Sequence, residues 1–87
     1  MKKLTFEQIS EVALLAYAML KKGRGLREGQ AVYNAVNKLF PEQLHYLECD
    51  DDCYYNSERI PRFLRSLADD NAKQWVDKLT KEVYAKV

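Results

Sequence analysis

Residues 6–22 carry the pattern that leaves this chain the fewest options. Phe6, Ile9, Val12, Ala13, Ala16, Met19 and Leu20 recur at the three- and four-residue steps that line up along one face of an α-helix. Thr5, followed three residues later by Gln8, reads as a capping box, in which hydroxyl and amide each satisfy a backbone N–H that the first turn leaves unpaired. The spacing predicts a helix from about Phe6 to Lys21. Leu14, Leu15, Tyr17 and Ala18 fill the remaining positions, so this helix is apolar nearly all round. Such a helix is either covered on more than one side or presents a face for self-association. Gly23 and Gly25 end it, and Lys21, Lys22, Arg24 and Arg27 cluster about the break, where cations suit the negative end of the helix dipole.

The pattern then repeats in shorter pieces. Ala31, Val32, Ala35, Val36 and Leu39 predict a second helix over about Arg27–Leu39, with Tyr33 and Phe40 flanking its stripe and Gly29 permitting close packing near its start. Phe40 precedes Pro41, which disfavours helical backbone at residue 40, so Pro41 opens a short third helix reaching about Leu47, with Leu44 and Leu47 inward. Ser57 begins a helical turn leading into a fourth helix over about Pro61–Leu67, with Ile60, Phe63, Leu64 and Leu67 inward. A last helix, capped by Asp69 or Asp70, runs through about Tyr84 on Ala72, Trp75, Val76, Leu79 and Val83, with Trp75 as a core anchor. Strand alternation and internal repeats do not occur. The expectation is an all-α fold: a small single-domain bundle of four to five helices over residues 1–87.

Charge narrows the function classes. The formal net charge is +1, but residues 1–27 carry six basic and two acidic side chains, residues 28–58 one and seven, and residues 59–67 three and none. The chain is polarised rather than basic, which weakens a whole-surface nucleic-acid reading; the lack of an acidic excess equally removes a DNA mimic. No apolar run approaches membrane-spanning length, and Glu7, Gln8 and Glu11 interrupt what would otherwise be the apolar region of a signal peptide after Met1-Lys2-Lys3. Two cysteines four residues apart cannot staple distant elements. A cytoplasmic protein without membrane contact is expected.

The chemically distinctive stretch is Cys49–Leu64. Three acids, Asp50, Asp51 and Asp52, precede Tyr54 and Tyr55, and the basic run Arg59, Arg62 and Arg65 follows. Adjacent aspartates favour a loop or irregular turn. The sign reversal fits two arrangements: arginines closing back on the aspartates, or an exposed polar surface with aromatic anchors for a partner. His45, Cys49 and Cys53, spaced four and four, would share one helical face with ligands that suit zinc. The acidic run breaks that face, so no metal or other cofactor is assigned. The aspartate run lacks the alternation, glycine and terminal glutamate of a calcium loop, and neither a Cys–His nucleophile with an oxyanion hole nor a positioned pair of carboxylates is present. An enzyme is not expected.

Gly29-Gln30-Ala31, Asn34-Ala35, Pro41-Glu42, Asp52-Cys53-Tyr54-Tyr55, Arg59-Ile60-Pro61 and Phe63-Leu64 together resemble a set of short proteins, mostly uncharacterised, often found in phage and prophage genomes. The resemblance covers about residues 27–67 and implies a small, phage-linked, intracellular accessory protein, with no catalytic residues to carry over. Proteins of that kind commonly act by stoichiometric binding, including inhibition of host defence machinery such as CRISPR effectors.

The leading expectation is therefore a non-enzymatic protein that binds a larger host protein through Asp50, Asp51, Asp52, Tyr54, Tyr55, Arg59, Arg62 and Arg65, with the tyrosines as anchors. The alternative is a small nucleic-acid-binding protein using Lys21, Lys22, Arg24 and Arg27 around the Gly-containing loop. A third is a structural homodimer made through the apolar excess of the first helix.

Overall fold

A computed structural model of the protein describes residues 2–23, 25–46 and 52–84. The fold is all-α: five α-helices and two 3₁₀ segments in these residues, without a strand. Helix α1 spans Phe6–Lys22 and α2 spans Glu28–Leu39; α3, α4 and α5 are Ile60–Leu67, Asp70–Lys73 and Val76–Tyr84. The 3₁₀ segments are Pro41–Tyr46 and Ser57–Arg59.

The capping box is formed: Gln8 N–H donates to Thr5 Oγ1 at 3.2 Å, and Thr5 N–H donates to Gln8 Oε1 at 2.9 Å. Helix α1 is central, packing most extensively on α2 and also against α4 and α5. Ile9, Val12, Ala13 and Ala16 are buried, whereas Leu14 stays 64% exposed. The apolar excess is thus met largely by cover on several sides. The α2 stripe of Ala31, Val32, Ala35 and Val36 is fully buried, and Ile60, Phe63, Leu64 and Leu67 of α3 join it in one core.

Four features depart from expectation. Leu39, placed in the core stripe, sits at the last residue of α2 and is 36% exposed. The third helix is a 3₁₀ segment, with Leu44 packed against the core and Leu47 outside the described residues. The last helix is two helices. Trp75 N–H donates to Ala72 O at 3.0 Å, a tightened turn that separates α4 from α5. That turn brings Val76 inside and leaves Trp75 41% exposed, edge-on to Phe6 at 6.1 Å, so Trp75 is not the core anchor. The Val83 side chain lies outside the described part.

The fourth feature is Leu4, which the helical period does not reach. Its N–H donates to Leu67 O and its carbonyl accepts from Asp69 N–H, both at 2.8 Å, an isolated parallel bridge that ties the N-terminal segment to the α3–α4 junction. Lys3 Nζ donates to Ser66 O, reinforcing the tie, and Gln43 Nε2 donates to Lys2 O, joining the same segment to the Pro41–Tyr46 turn. Asp69 caps α4, its Oδ1 accepting from Ala72 N–H at 2.7 Å.

Candidate functional site

The segment after the acidic run is held to the start of α2. Gly29 N–H, one of the donors that the first turn of a helix leaves unpaired, donates to Ser57 Oγ at 3.0 Å. In return, the Cys53 thiol donates to Gly29 O at 3.3 Å. The approach is so close that a β-carbon on residue 29 would collide with the Cys53 carbonyl oxygen and press on Ser57 Cα. Glycine is therefore required here by space. Asp52 Oδ1 accepts from Tyr54 N–H at 2.7 Å and Asn56 Oδ1 from Glu58 N–H at 3.0 Å, so two side-chain turns shape residues 52–58.

On this frame the aromatic rings form a path from core to solvent. Phe63 is buried; Tyr33 lies along it with centroids 6.1 Å apart; Tyr54 meets Tyr33 edge-to-face at 5.4 Å; and Tyr55 meets Tyr54 at 4.9 Å. Tyr33 and Tyr54 are half-buried, and Tyr55 at the end of the path is 82% exposed. The two tyrosines that the sequence pairs thus differ in kind: Tyr54 is half-buried against α2, and Tyr55 projects.

The arginine run divides. Arg62 and Arg65 are exposed on α3 and Arg59 is half-buried at its start. Arg65 Nη1 meets Asp77 Oδ1 of α5 at 2.7 Å, so its charge is engaged with α5. Both partners are largely solvated, and a pair of this kind is worth at most about 1 kcal/mol. Asp52 sits with Tyr54 and Tyr55, while Asp50 and Asp51 lie outside the described residues.

Cys53 is fully buried. Burial pushes its thiol up from 9.0 to about 12, and the neighbouring Asp52 carboxylate adds to the rise, so the sulfur stays protonated. A nucleophile or a metal ligand requires thiolate, which this environment disfavours. His45, by contrast, is exposed on its 3₁₀ segment, and Cys49 lies outside the described residues. Among the described residues no cluster of three histidine, cysteine or acidic side chains could hold a metal ion.

Of the alternative basic set, Lys21, Lys22 and Arg27 are exposed about the α1–α2 connection and Arg24 lies outside the described residues. Lys21 Nζ stands over the Tyr17 ring at 5.2 Å. Gly25 takes the left-handed conformation, φ 74°, that turns the chain towards α2. No helix of the described residues is long and apolar enough to cross a membrane.

Sequence reasoning missed a second feature, where Phe6, Trp75, Lys78 and Leu79 line a depression of about 150 Å3 with Lys78 Nζ 5.5 Å from the Trp75 ring. The Trp75–Lys78 spacing, i to i+3, was the available signal. Comparison with family models, with curated proteins and with solved structures finds no match to this chain.

Proposed function

We propose that this chain is a non-enzymatic binding protein that docks a larger host protein through the 52–55 segment and the Arg59–Arg65 side of α3. The observation that carries the reading is Tyr55, which is 82% exposed yet seated on Tyr54, whose ring leads through Tyr33 to the core. A large amphipathic side chain held by its neighbours loses little freedom on contact, which is what makes tyrosine effective as an interface anchor. Asp52, with Asp50 and Asp51 beside it in sequence, and Arg59 and Arg62 beyond, supply opposite charges that orient a partner and raise the encounter rate. The resemblance to phage and prophage accessory proteins supplies the setting: stoichiometric inhibition of a host defence system such as a CRISPR effector, by analogy alone.

Affinity capture from nuclease-treated lysate of the natural host, with the native chain and Tyr55→Ala in parallel, tests this. One stoichiometric host protein is expected with the native chain and strongly depleted with Tyr55→Ala. Equal capture by both, or recovery only while nucleic acid is intact, would remove the reading.

A further inference from the structure

Away from the tyrosines, an open depression of about 410 Å3 lies beside α1 and α2. Its floor is Leu15, Ala18 and Met19 of α1 with Leu26 of the connecting segment, and Lys22 and Lys38 stand at its edge. We propose that this depression docks an acidic amphipathic helix of a partner protein, its apolar side on the floor and its carboxylates against Lys22 and Lys38. The occupant is selected by charge and by shape. Lys22 and Lys38 are exposed and make no ion pair among the described residues, and Arg27 adds a third exposed cation at the same end of α1.

Glu11 lies one turn before Leu15 on α1, so the cationic character belongs to the Lys22 end, and the occupant's carboxylates belong there too. The described residues offer no sheet edge for an extended peptide to join, which leaves helix-in-groove docking as the available peptide mode. Met19 gives the floor a side chain able to adapt to different apolar partners. Single-stranded nucleic acid would call for aromatic stacking faces, and the floor is aliphatic, while the nearby Tyr17 ring already carries Lys21. The inference is independent of the Tyr55 face, because the two surfaces share no residue.

The probe is a synthetic helical peptide with leucines at helical spacing and glutamates elsewhere, titrated into the isotope-labelled full chain and followed by amide NMR shifts. A peptide with lysine replacing every glutamate is the control. Shifts confined to residues 15–26 and to the end of α2 about Lys38 are expected with the glutamate peptide, and none with the lysine peptide. Lys22→Glu/Lys38→Glu should weaken the glutamate peptide by about tenfold or more and admit the lysine peptide. Ala18→Glu, which fills the floor while remaining compatible with a helix, should abolish the response to the glutamate peptide. An unchanged amide spectrum outside the substituted turns establishes that each variant is folded. Absence of shifts at millimolar peptide, shifts located elsewhere, or equal response to both peptides would overturn the proposal. So would labelled single-stranded DNA or RNA producing these shifts where the glutamate peptide does not.

Discussion

The Cys53 thiol donates to the Gly29 carbonyl oxygen across 3.3 Å, while the Cys53 carbonyl occupies the space that a β-carbon on Gly29 would need. Two backbones twenty-four residues apart are thereby in direct contact at the root of the candidate site. Gly29→Ala cannot be accommodated by a rotamer change, since the obstacle is main chain. Overpacking typically costs about 1 to 3 kcal/mol, and a backbone obstacle belongs at the upper end. Urea unfolding should show a loss of about 3 kcal/mol; a loss below about 0.5 kcal/mol would mean that the 53–57 segment does not lie against α2.

Cys53 also makes stability depend on alkaline pH. Its pKa is raised by burial first and by Asp52 second, from 9.0 to about 12, so the folded chain keeps a proton that the unfolded chain releases. That contribution is complete below pH 9.0 and is lost progressively as pH rises towards about 12. At about pH 10.5 the loss should reach about 2 kcal/mol relative to about pH 8. The measurement is the difference in slope between the native chain and Cys53→Ala, which isolates the contribution of this thiol. Equal slopes would show that the thiol ionises as freely in the folded protein as in the unfolded chain.

Tyr54 and Tyr55 should separate in their effects. Tyr55→Ala removes a ring that is 82% exposed and should change stability by no more than about 0.5 kcal/mol. Tyr54→Ala strips an edge-to-face contact from Tyr33 as well as half-buried area, and should cost about 1 to 2 kcal/mol. Thermal unfolding of the two single variants checks this; a larger loss from Tyr55→Ala would make it a structural rather than a partner-facing ring.

Trp75 is the sole tryptophan, so its emission reports one site. With 41% exposure beside Phe6, it should be quenched readily by acrylamide in the native state. A shielded, blue-shifted emission would return the ring to the core.

The helical period was enough to find α1, α2 and α3, because Ile9, Val12 and Ala16, or Phe63, Leu64 and Leu67, are repeated along one face whatever they pack against. It failed at Trp75 for a physical reason. A single tightened turn changes the phase between residues 72 and 76, and periodicity treats those residues as one continuous helix. The acids and tyrosines of the candidate site were visible as composition, but the difference between Tyr54 and Tyr55 was not. Adjacent identical residues in an irregular loop have no period, and which ring turns inward depends on the Asp52 side-chain turn and on Tyr33, twenty-one residues earlier in the chain.

Leu4 is the clearest case of a structural residue outside the pattern. It precedes the Thr5 cap and Ile9 is the fourth residue of α1, the two positions of a hydrophobic staple, and both are buried in the same core. Its backbone also bridges Leu67 and Asp69, holding the N-terminal segment across the α3–α4 junction. Leu4→Ala keeps those backbone bonds and deletes only the side chain, so the expected cost is that of a core truncation, about 2 to 4 kcal/mol. Removing residues 1–4 deletes the bridge as well and exposes the Ala68 surroundings, and should cost more. Amide hydrogen exchange distinguishes the two contributions. Asp69 N–H, which donates to Leu4 O, should stay protected relative to the chain's reduced global stability in Leu4→Ala and lose protection selectively in the truncated chain. Native-like stability in both variants would show that the N-terminal segment does not contribute to the core.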